Sequence, residues 1–364
     1  MIKRRKAYKV RIANTAIGGG APVLIQSMAT KKTSQVTSVA KQINELAAMG
    51  CEMVRVSILN EKDARAIEKI KPLISIPICA DIHFHYQFAL AAMAAGVDKI
   101  RINPGNIGGR ENIIKVFRAA KKHKVAVRVG VNSGSLPPMS SRPKRRDLDP
   151  HFRRDDKRIR HMVQSLKRVI RIAETEKFKN LVLSIKSSDP VETIEANRLL
   201  AQETKYPIHL GVTATGAGID AIIKSTVALS TLLAEGIGDT IRVSLTADPR
   251  EEVIVATKIL QALGLRDYPY QIIACPTCGR TEIGIQKLVR DVERRIQNEC
   301  DITQLHYKSI AIMGCVVNGP GEAKEADIGI AGGKGFGFIF KKGKKIKKVP
   351  EHKLVDELMK ELKT

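Results

Sequence analysis

Three cysteines and a glutamate are spaced as ligands of one metal centre. Cys275 and Cys278 form the chelating pair C-P-T-C at the end of an apolar run, and Cys315 ends another such run 37 residues after Cys278. Glu322 follows Cys315 across the turn Asn-Gly-Pro-Gly. CxxC pairs commonly hold zinc, but two such pairs, or added histidines, usually close the tetrahedron. This chain has no second CxxC, and no histidine lies near Cys315. Three thiolates with a different fourth ligand also suit a cubane iron–sulfur cluster that keeps one iron exchangeable. Spacing leaves both metals open and favours iron and sulfur. Cys51 and Cys79 sit in apolar surroundings and read as small core residues. Cys300 has no assigned role. A disulfide framework does not suit a chain of this size without a secretory leader.

A second set of polar residues repeats with the period of a strand. Arg55 and Ser57, Arg101 and Asn103, Ser184 and Lys186, and Arg242 and Ser244 are each two residues apart in "RVS", "RIN", "SIK" and "RVS". Arg128, Asn132, Thr213 and Asp81 lie at the ends of similar β-rich runs, with His83 and His85 just beyond Asp81. Residues two apart share one face of a strand. Five strands that each present a cation to one space would repel one another unless a polyanion filled it, and a diphosphate meets the fork of arginine well. The competing arrangement turns these cations outward, to pair with acids on surrounding helices.

The elements that must carry these residues alternate along the chain. "PVLIQSM", "MVRVSI", "IPICADI", "KIRIN", "VAVRVGVN", "LVLSIKS", "PIHLGVT" and "DTIRVSL" read as strands, separated by amphipathic stretches such as "SQVTSVAKQINELAAMG". Eight β/α units predict an α/β fold of the TIM type, a (β/α)8 barrel over residues 1–264, with its site at the C-terminal ends of the strands. From 265 to 364 the texture changes to a smaller α+β domain that carries the cysteines. The Gly-rich stretches "NTAIGGGAP" and "GIAGGKGFG" match no phosphate-loop fingerprint and read as turns. Residues 133–160 read as a long polar connection after the fifth strand.

Composition sets limits on function. The net charge is +25, and much of the excess lies in 142–160 and 341–348. Aromatic residues make up 4% of the chain and there is no tryptophan, so these blocks lack the stacking groups of a single-strand binder and read as solvated surface. A basic nucleic-acid-binding protein with a metal module remains a competing class. No apolar run reaches membrane-spanning length, and the basic N-terminus is not followed by a signal-type hydrophobic segment, which predicts a cytoplasmic protein.

Together the motifs "IQSM", "CEMVRVS", "ICADIHF", "KIRINPGN", "VRVGVNSGS", "LSIKSSD", "HLGVT", "IRVSLTADP", "CPTCGRT" and "GCVVNGPGEA" resemble, in order, the 4-hydroxy-3-methylbut-2-enyl diphosphate synthase family of the methylerythritol phosphate route to isoprenoids. The resemblance implies an oxidoreductase that opens 2-C-methyl-D-erythritol 2,4-cyclodiphosphate with two electrons. It implies a [4Fe-4S] cluster held by Cys275, Cys278, Cys315 and Glu322, with Glu322, Asp81 and Thr213 nearest the chemistry. Arg55, Arg101, Asn103, Arg128, Asn132, Lys186, Arg242 and Ser244 match positions that hold the substrate. A flavodoxin or ferredoxin is the implied electron donor. The implied assembly is a homodimer in which one subunit's cluster domain caps the other's barrel. The chain departs from the family pattern after Thr213, where Ala214 replaces the usual glutamate. That change makes a catalytically weakened relative the second reading.

Overall fold

The computed structural model describes residues 2–135, 154–301, 305–315 and 324–363. They divide into two compact units, Met1–Arg266 and Asp267–Thr364.

The first unit opens with a short antiparallel hairpin, β1 (Val10–Ile12) and β2 (Thr15–Ile17), absent from the sequence reading. "NTAIGGGAP" is thus part strand and part turn. Eight parallel strands follow: β3 (Leu24–Met28), β4 (Met53–Ile58), β5 (Ile78–Ile82), β6 (Lys99–Ile102), β7 (Ala126–Asn132), β8 (Leu181–Lys186), β9 (His209–Leu210) and β10 (Thr240–Ile241). Their order is β8-β7-β6-β5-β4-β3-β10-β9. A parallel bridge between Leu183 and Ile208 joins the two ends, so the sheet closes into a barrel. All eight coincide with the runs read as strands, although β9 and β10 are only two residues long. The helices between them cover the barrel with apolar faces. In α1 (Val36–Ala48), Val39, Ala40, Ile43 and Leu46 are buried at helical spacing. Two of the helices start on an aspartate cap followed by proline: α6 (Pro190–Glu203) on Asp189 and α8 (Pro249–Ala262) on Asp248. The stretch read as one long connection is shorter on both sides. Residues 133–135 form a 3-10 turn, α5 (Arg154–Thr175) takes in the end of the basic block, and 136–153 lie outside the described residues.

Strand register fixes the barrel interior. Going two strands round an eight-stranded barrel advances the register by two residues. The pairs Gln26–Met53, Cys79–Lys99, Lys99–Ala126, Arg128–Val182 and Thr240–His209, with the Leu183–Ile208 bridge, therefore place Gln26, Cys79, Arg128 and His209 on one level. The pairing of Thr240 with Leu24 returns the count to Gln26. Met53, Lys99, Val182 and Thr240 form the level below. Arg55, Arg101, Ser184 and Arg242 form the level above. Higher still come Met28, Asp81, Gly130 and Gly211, and then Ser57, Asn103, Lys186 and Ser244. At the bottom, Val10, Ile12 and Ile17 of the hairpin pack with Leu24, Met53, Cys79, Ala126 and Val182 as an apolar plug.

The second unit is a five-stranded sheet in the order β11-β12-β13-β14-β15, made of Gln271–Ala274, Ser309–Met313, Ile328–Gly333, Phe336–Lys341 and Lys344–Pro350. The first three strands run parallel and the last two form antiparallel hairpins. The stretch "GIAGGKGFG", read as a turn, is mostly strand around a tight bend. Helix α9 (Ile285–Glu299) and the C-terminal helix Leu354–Lys363 bury Val292, Ile296, Leu358 and Leu362 in the same core. Among the described residues, no helix is long and apolar enough to cross a membrane.

Candidate active site at the barrel mouth and its cysteine-bearing companion

The upper levels of the barrel bring the sequence-derived cations together. Asp81, 3% exposed, sits among them and accepts from Arg101 Nη1 at 3.2 Å. Arg55 Nε lies 3.6 Å and His83 Nε2 3.5 Å from its other oxygen. Burial alone would raise the Asp81 carboxyl, but Arg55, the His83 hydrogen bond and Arg101 outweigh it and hold the group well below the usual carboxylate range. Asp81 is therefore a fixed anion that orients two arginines.

Arg242 takes a different partner. Its Nη2 and Nε donate to the two carboxylate oxygens of Glu252 at 2.9 and 3.2 Å. Glu252, on α8, also accepts from Ser27 Oγ at 2.9 Å and from the Leu245 backbone N–H at 3.3 Å. For this one arginine, the competing arrangement, an acid reaching in from the helical layer, is realised in part.

Lys186 is 5% exposed and has no ion-pair or hydrogen-bond partner among the described residues. Burial pushes its ammonium well below the ordinary lysine value, and Arg128, Arg55, Arg242 and Arg101 push it further the same way. Two glycines make room for these long side chains. A Cβ on Gly211 would lie 2.4 Å from Lys186 Nζ and 2.8 Å from the Arg242 carbonyl oxygen, and one on Gly130 would lie 2.7 Å from Ser184 Oγ and 3.3 Å from Arg101 Nε. The site is thus a polar chamber whose walls lack side chains where the cations need space.

Asn103 is buried, and its Oδ1 accepts from the Gly105 N–H at 3.0 Å, turning the chain away from β6. Asn132 pairs in register with Lys186 at the end of β7. Ser244 and Thr213 follow β10 and β9 and are partly exposed; the Thr213 N–H donates to the Ser187 carbonyl at 3.0 Å. Ala214 is exposed with φ at 52°, a left-handed conformation that non-glycine residues rarely adopt. His85 only begins α3 (Tyr86–Ala94).

Sequence reasoning passed over four buried groups. Lys99, 0% exposed, stands two residues before Arg101 on the same face of β6, a period-two signal that was there to read. Gln26 receives Arg128 Nη1 at 2.6 Å across the barrel, and His209 Nδ1 lies 2.7 Å from Thr240 Oγ1. Glu252 gave no signal, because a glutamate in the first turn of a helix is ordinary there. Among the described residues, Arg55, Lys99, Arg101, Arg128, Lys186 and Arg242 face two carboxylates, Asp81 and Glu252; Lys99, Arg128 and Lys186 have no carboxylate partner, and basic groups outnumber acidic ones by four.

In the second unit, Cys275 follows directly on β11 and Cys315 stands two residues past β12, so the ends of two adjacent parallel strands carry them. The Gly314 N–H donates to Cys275 Sγ at 3.2 Å. Cys278 lies on the turn between; its N–H reaches Thr281 Oγ1 at 3.2 Å, and Thr281 returns its N–H to the Cys278 carbonyl at 3.0 Å. A Cβ on Gly314 would lie 2.9 Å from a Thr281 side-chain carbon, so the turn carrying Cys278 folds closely against the end of β12. Hydrogen bonds from Arg280 and Thr281 lower the Cys278 thiol, which favours the thiolate a metal requires. Among the described residues, no three His, Cys, Asp or Glu side chains are grouped as single-ion ligands. Glu322 lies outside the described residues. Two cysteines past the ends of adjacent strands and a third on the following turn, with a backbone N–H aimed at one sulfur, are of the donor type an iron–sulfur cluster takes.

Two family models together span nearly the whole chain: the GcpE TIM-barrel domain matches residues 7–257, and the GcpE protein C-terminal domain matches residues 271–364. Curated relatives agree. A protein of Lawsonia intracellularis is 49% identical over 360 residues, covering 99% of this chain and 96% of its own. One from Caldicellulosiruptor saccharolyticus is 48% identical and covers 97% of each chain, and one from Thermodesulfovibrio yellowstonii is 44% identical and covers 100% of each. All three are named 4-hydroxy-3-methylbut-2-en-1-yl diphosphate synthase (flavodoxin).

Proposed function

The chain belongs to the GcpE family, and on that premise we propose that it reduces 2-C-methyl-D-erythritol 2,4-cyclodiphosphate to 4-hydroxy-3-methylbut-2-enyl diphosphate in the methylerythritol phosphate route to isoprenoids, using electrons from flavodoxin. The observation that carries the substrate assignment is the unpartnered positive charge in the barrel, which calls for a compact polyanion. In the balanced reaction two electrons and one proton enter, and the C–O bond to one phosphate breaks. A hydroxyl then leaves as water. Each phosphorus of the ring carries one ionised oxygen, and ring opening adds another ionisable oxygen with a pKa of about 6. The product is therefore more negative than the substrate by up to one charge.

That change says what the barrel residues do. Arg55, Arg101 and Arg242, on one level, grip the diphosphate oxygens in the ground state. Lys186, one level nearer the mouth than Asp81 and without a counter-ion, meets the charge that develops as the ring opens. A cation set in place before reaction stabilises such a charge without reorganising solvent. Arg128, one level below, belongs to the same substrate-holding set and is steadied by its bond to Gln26. Asn103, Asn132, Ser244 and Thr213 orient the hydroxyl-bearing carbon chain at the rim. Asp81 holds Arg55 and Arg101 and keeps His83 within reach of the mouth as a proton carrier.

Cys275, Cys278, Cys315 and Glu322 would hold a [4Fe-4S] cluster, which when bound supplies electrons one at a time and a Lewis-acidic iron. A homodimer and a cytoplasmic location belong to the same reading. The test is anaerobic turnover of the cyclic diphosphate by cluster-loaded protein with a strong reductant. Product from the wild type, lost on Cys315→Ser, is the expected result. Full cluster absorbance without product would reject the assignment. Product gained on Ala214→Glu would then identify the chain as the weakened relative that its exposed alanine suggests.

A further inference from the structure

Below the arginine level, two levels of the barrel hold positive charge and stranded donors with no carboxylate among them. Among the described residues, Gln26 Nε2, Arg128 Nε and His209 Nε2 are buried without a hydrogen-bond partner, and all three residues lie on one level. Their exposures are 1%, 1% and 0%, so water from outside does not satisfy them. Cys79 completes this level with the smallest side chain of the four and packs against the apolar plug beneath. Directly beneath, the fully buried Lys99 has one hydrogen-bond partner among the described residues, Met53 Sδ at 3.1 Å. Burial pushes Lys99 down to about 7 and Arg128 down to about 9, and the nearby Arg55 pushes both the same way.

Acceptors decide what fills such a place. A buried water must donate as well as accept. At these two levels the Gln26 oxygen accepts from Arg128, Met53 Sδ from Lys99, and Thr240 Oγ1 is engaged with His209, so the donors still unmet on Arg128, Lys99 and Gln26 outnumber the lone pairs left. An anion only accepts. With Thr240 donating to His209 Nδ1, the imidazole carries its proton on Nε2 and becomes another donor. The substrate diphosphate does not serve here, because the arginine level lies between it and Lys99.

We propose that the barrel axis beneath the arginine level binds one small inorganic monoanion of the halide type, held by Arg128 Nε, His209 Nε2, Gln26 Nε2 and the Lys99 ammonium. The anion is a fixed internal counter-ion. It keeps Lys99 charged and Arg128 crossed to Gln26, and so forms a rigid floor for the level above.

Bromide is the probe. Crystals of the full-length protein grown in bromide should show an anomalous peak within hydrogen-bonding distance of Arg128 Nε and His209 Nε2. In solution, replacing gluconate by chloride or bromide at constant ionic strength should raise the melting temperature along a saturating curve. Lys99→Met should weaken the halide midpoint at least tenfold. A bromide-free axis, ordered water at that position, or the same halide response in Lys99→Met would each overturn the proposal. If Lys99→Met fails to fold, the bromide map of the wild type decides alone. Neither measurement uses the substrate, so the outcome is independent of the assigned reaction.

Discussion

Arg242 shows how much a residue's work depends on a neighbour that touches nothing reactive. Its guanidinium is held by two hydrogen bonds along one edge to Glu252, which is itself fixed by Ser27 and the Leu245 N–H. Glu252→Gln preserves the shape and removes the charge. Charge-assisted hydrogen bonds contribute about 1.5–3 kcal/mol, so a loosened Arg242 should raise KM for the cyclic diphosphate roughly ten- to a hundredfold. The kcat should fall less, and Glu252→Asp should restore part of the loss. A purely structural role would instead lower the melting temperature and leave KM alone. Gly211 works by omission. Gly211→Ala drives a methyl against Lys186 Nζ and the Arg242 carbonyl oxygen, and the backbone oxygen cannot swing aside. Activity should fall by more than tenfold while the cluster absorbance of the second unit stays intact.

At the scale of elements, the barrel strands were readable because β-rich runs with turn residues at their ends have few other fates. The inward cations were readable because a strand repeats every two residues. Lys99 obeys the same period as Arg101, but the eye stops at the end of the strand, where chemistry is expected, and Lys99 lies two residues deeper. Glu252 could not be assigned from sequence, since its role depends on how α8 packs against β3 and β10. The β1–β2 hairpin was missed because three-residue strands carry almost no periodic signal; its plug is made by packing alone. Lys99 also gives β6 a measurable property. Its folded value of about 7 lies below the unfolded lysine value of about 10.4, so between those limits the unfolded chain binds more protons. Stability must therefore rise with pH across that window, by up to about 1.4 kcal/mol per pH unit for one proton. Denaturant midpoints measured in gluconate from about pH 7 to pH 10 should climb for the wild type and flatten for Lys99→Met. Equal slopes would mean that Lys99 does not titrate inside the barrel.

Across the whole molecule the charge of +25 has more than one use. The barrel interior gathers six cationic side chains, Arg55, Lys99, Arg101, Arg128, Lys186 and Arg242, and β15 displays another group on the surface. That strand ends its sheet, and its first five residues, Lys344, Lys345, Ile346, Lys347 and Lys348, are exposed. Lysines on an edge strand prevent it from pairing with a second chain, which would be reason enough for them. Two are also partly engaged: Lys347 pairs with Glu357, and Lys348 sits over the Phe336 ring at 4.1 Å. Lys344 and Lys345 keep their charge free of any carboxylate among the described residues, while Lys345 rests over Phe338 at 4.5 Å. The relatives' names specify flavodoxin, and an acidic donor would be steered by such a strip at low salt. Edge protection and donor steering make opposite predictions for charge reversal. Lys344→Glu with Lys345→Glu keeps the edge charged, so a protective role predicts unchanged solubility and unchanged turnover with any reductant. Steering predicts at least a fivefold loss of turnover with flavodoxin, and none with dithionite. The wild-type flavodoxin rate should also fall with added salt, because the Debye length shrinks from about 30 Å at 0.01 M to about 8 Å at 0.15 M. A salt-independent flavodoxin rate would confine the lysines of β15 to guarding the edge and would move the search for the docking surface to another face of the second unit.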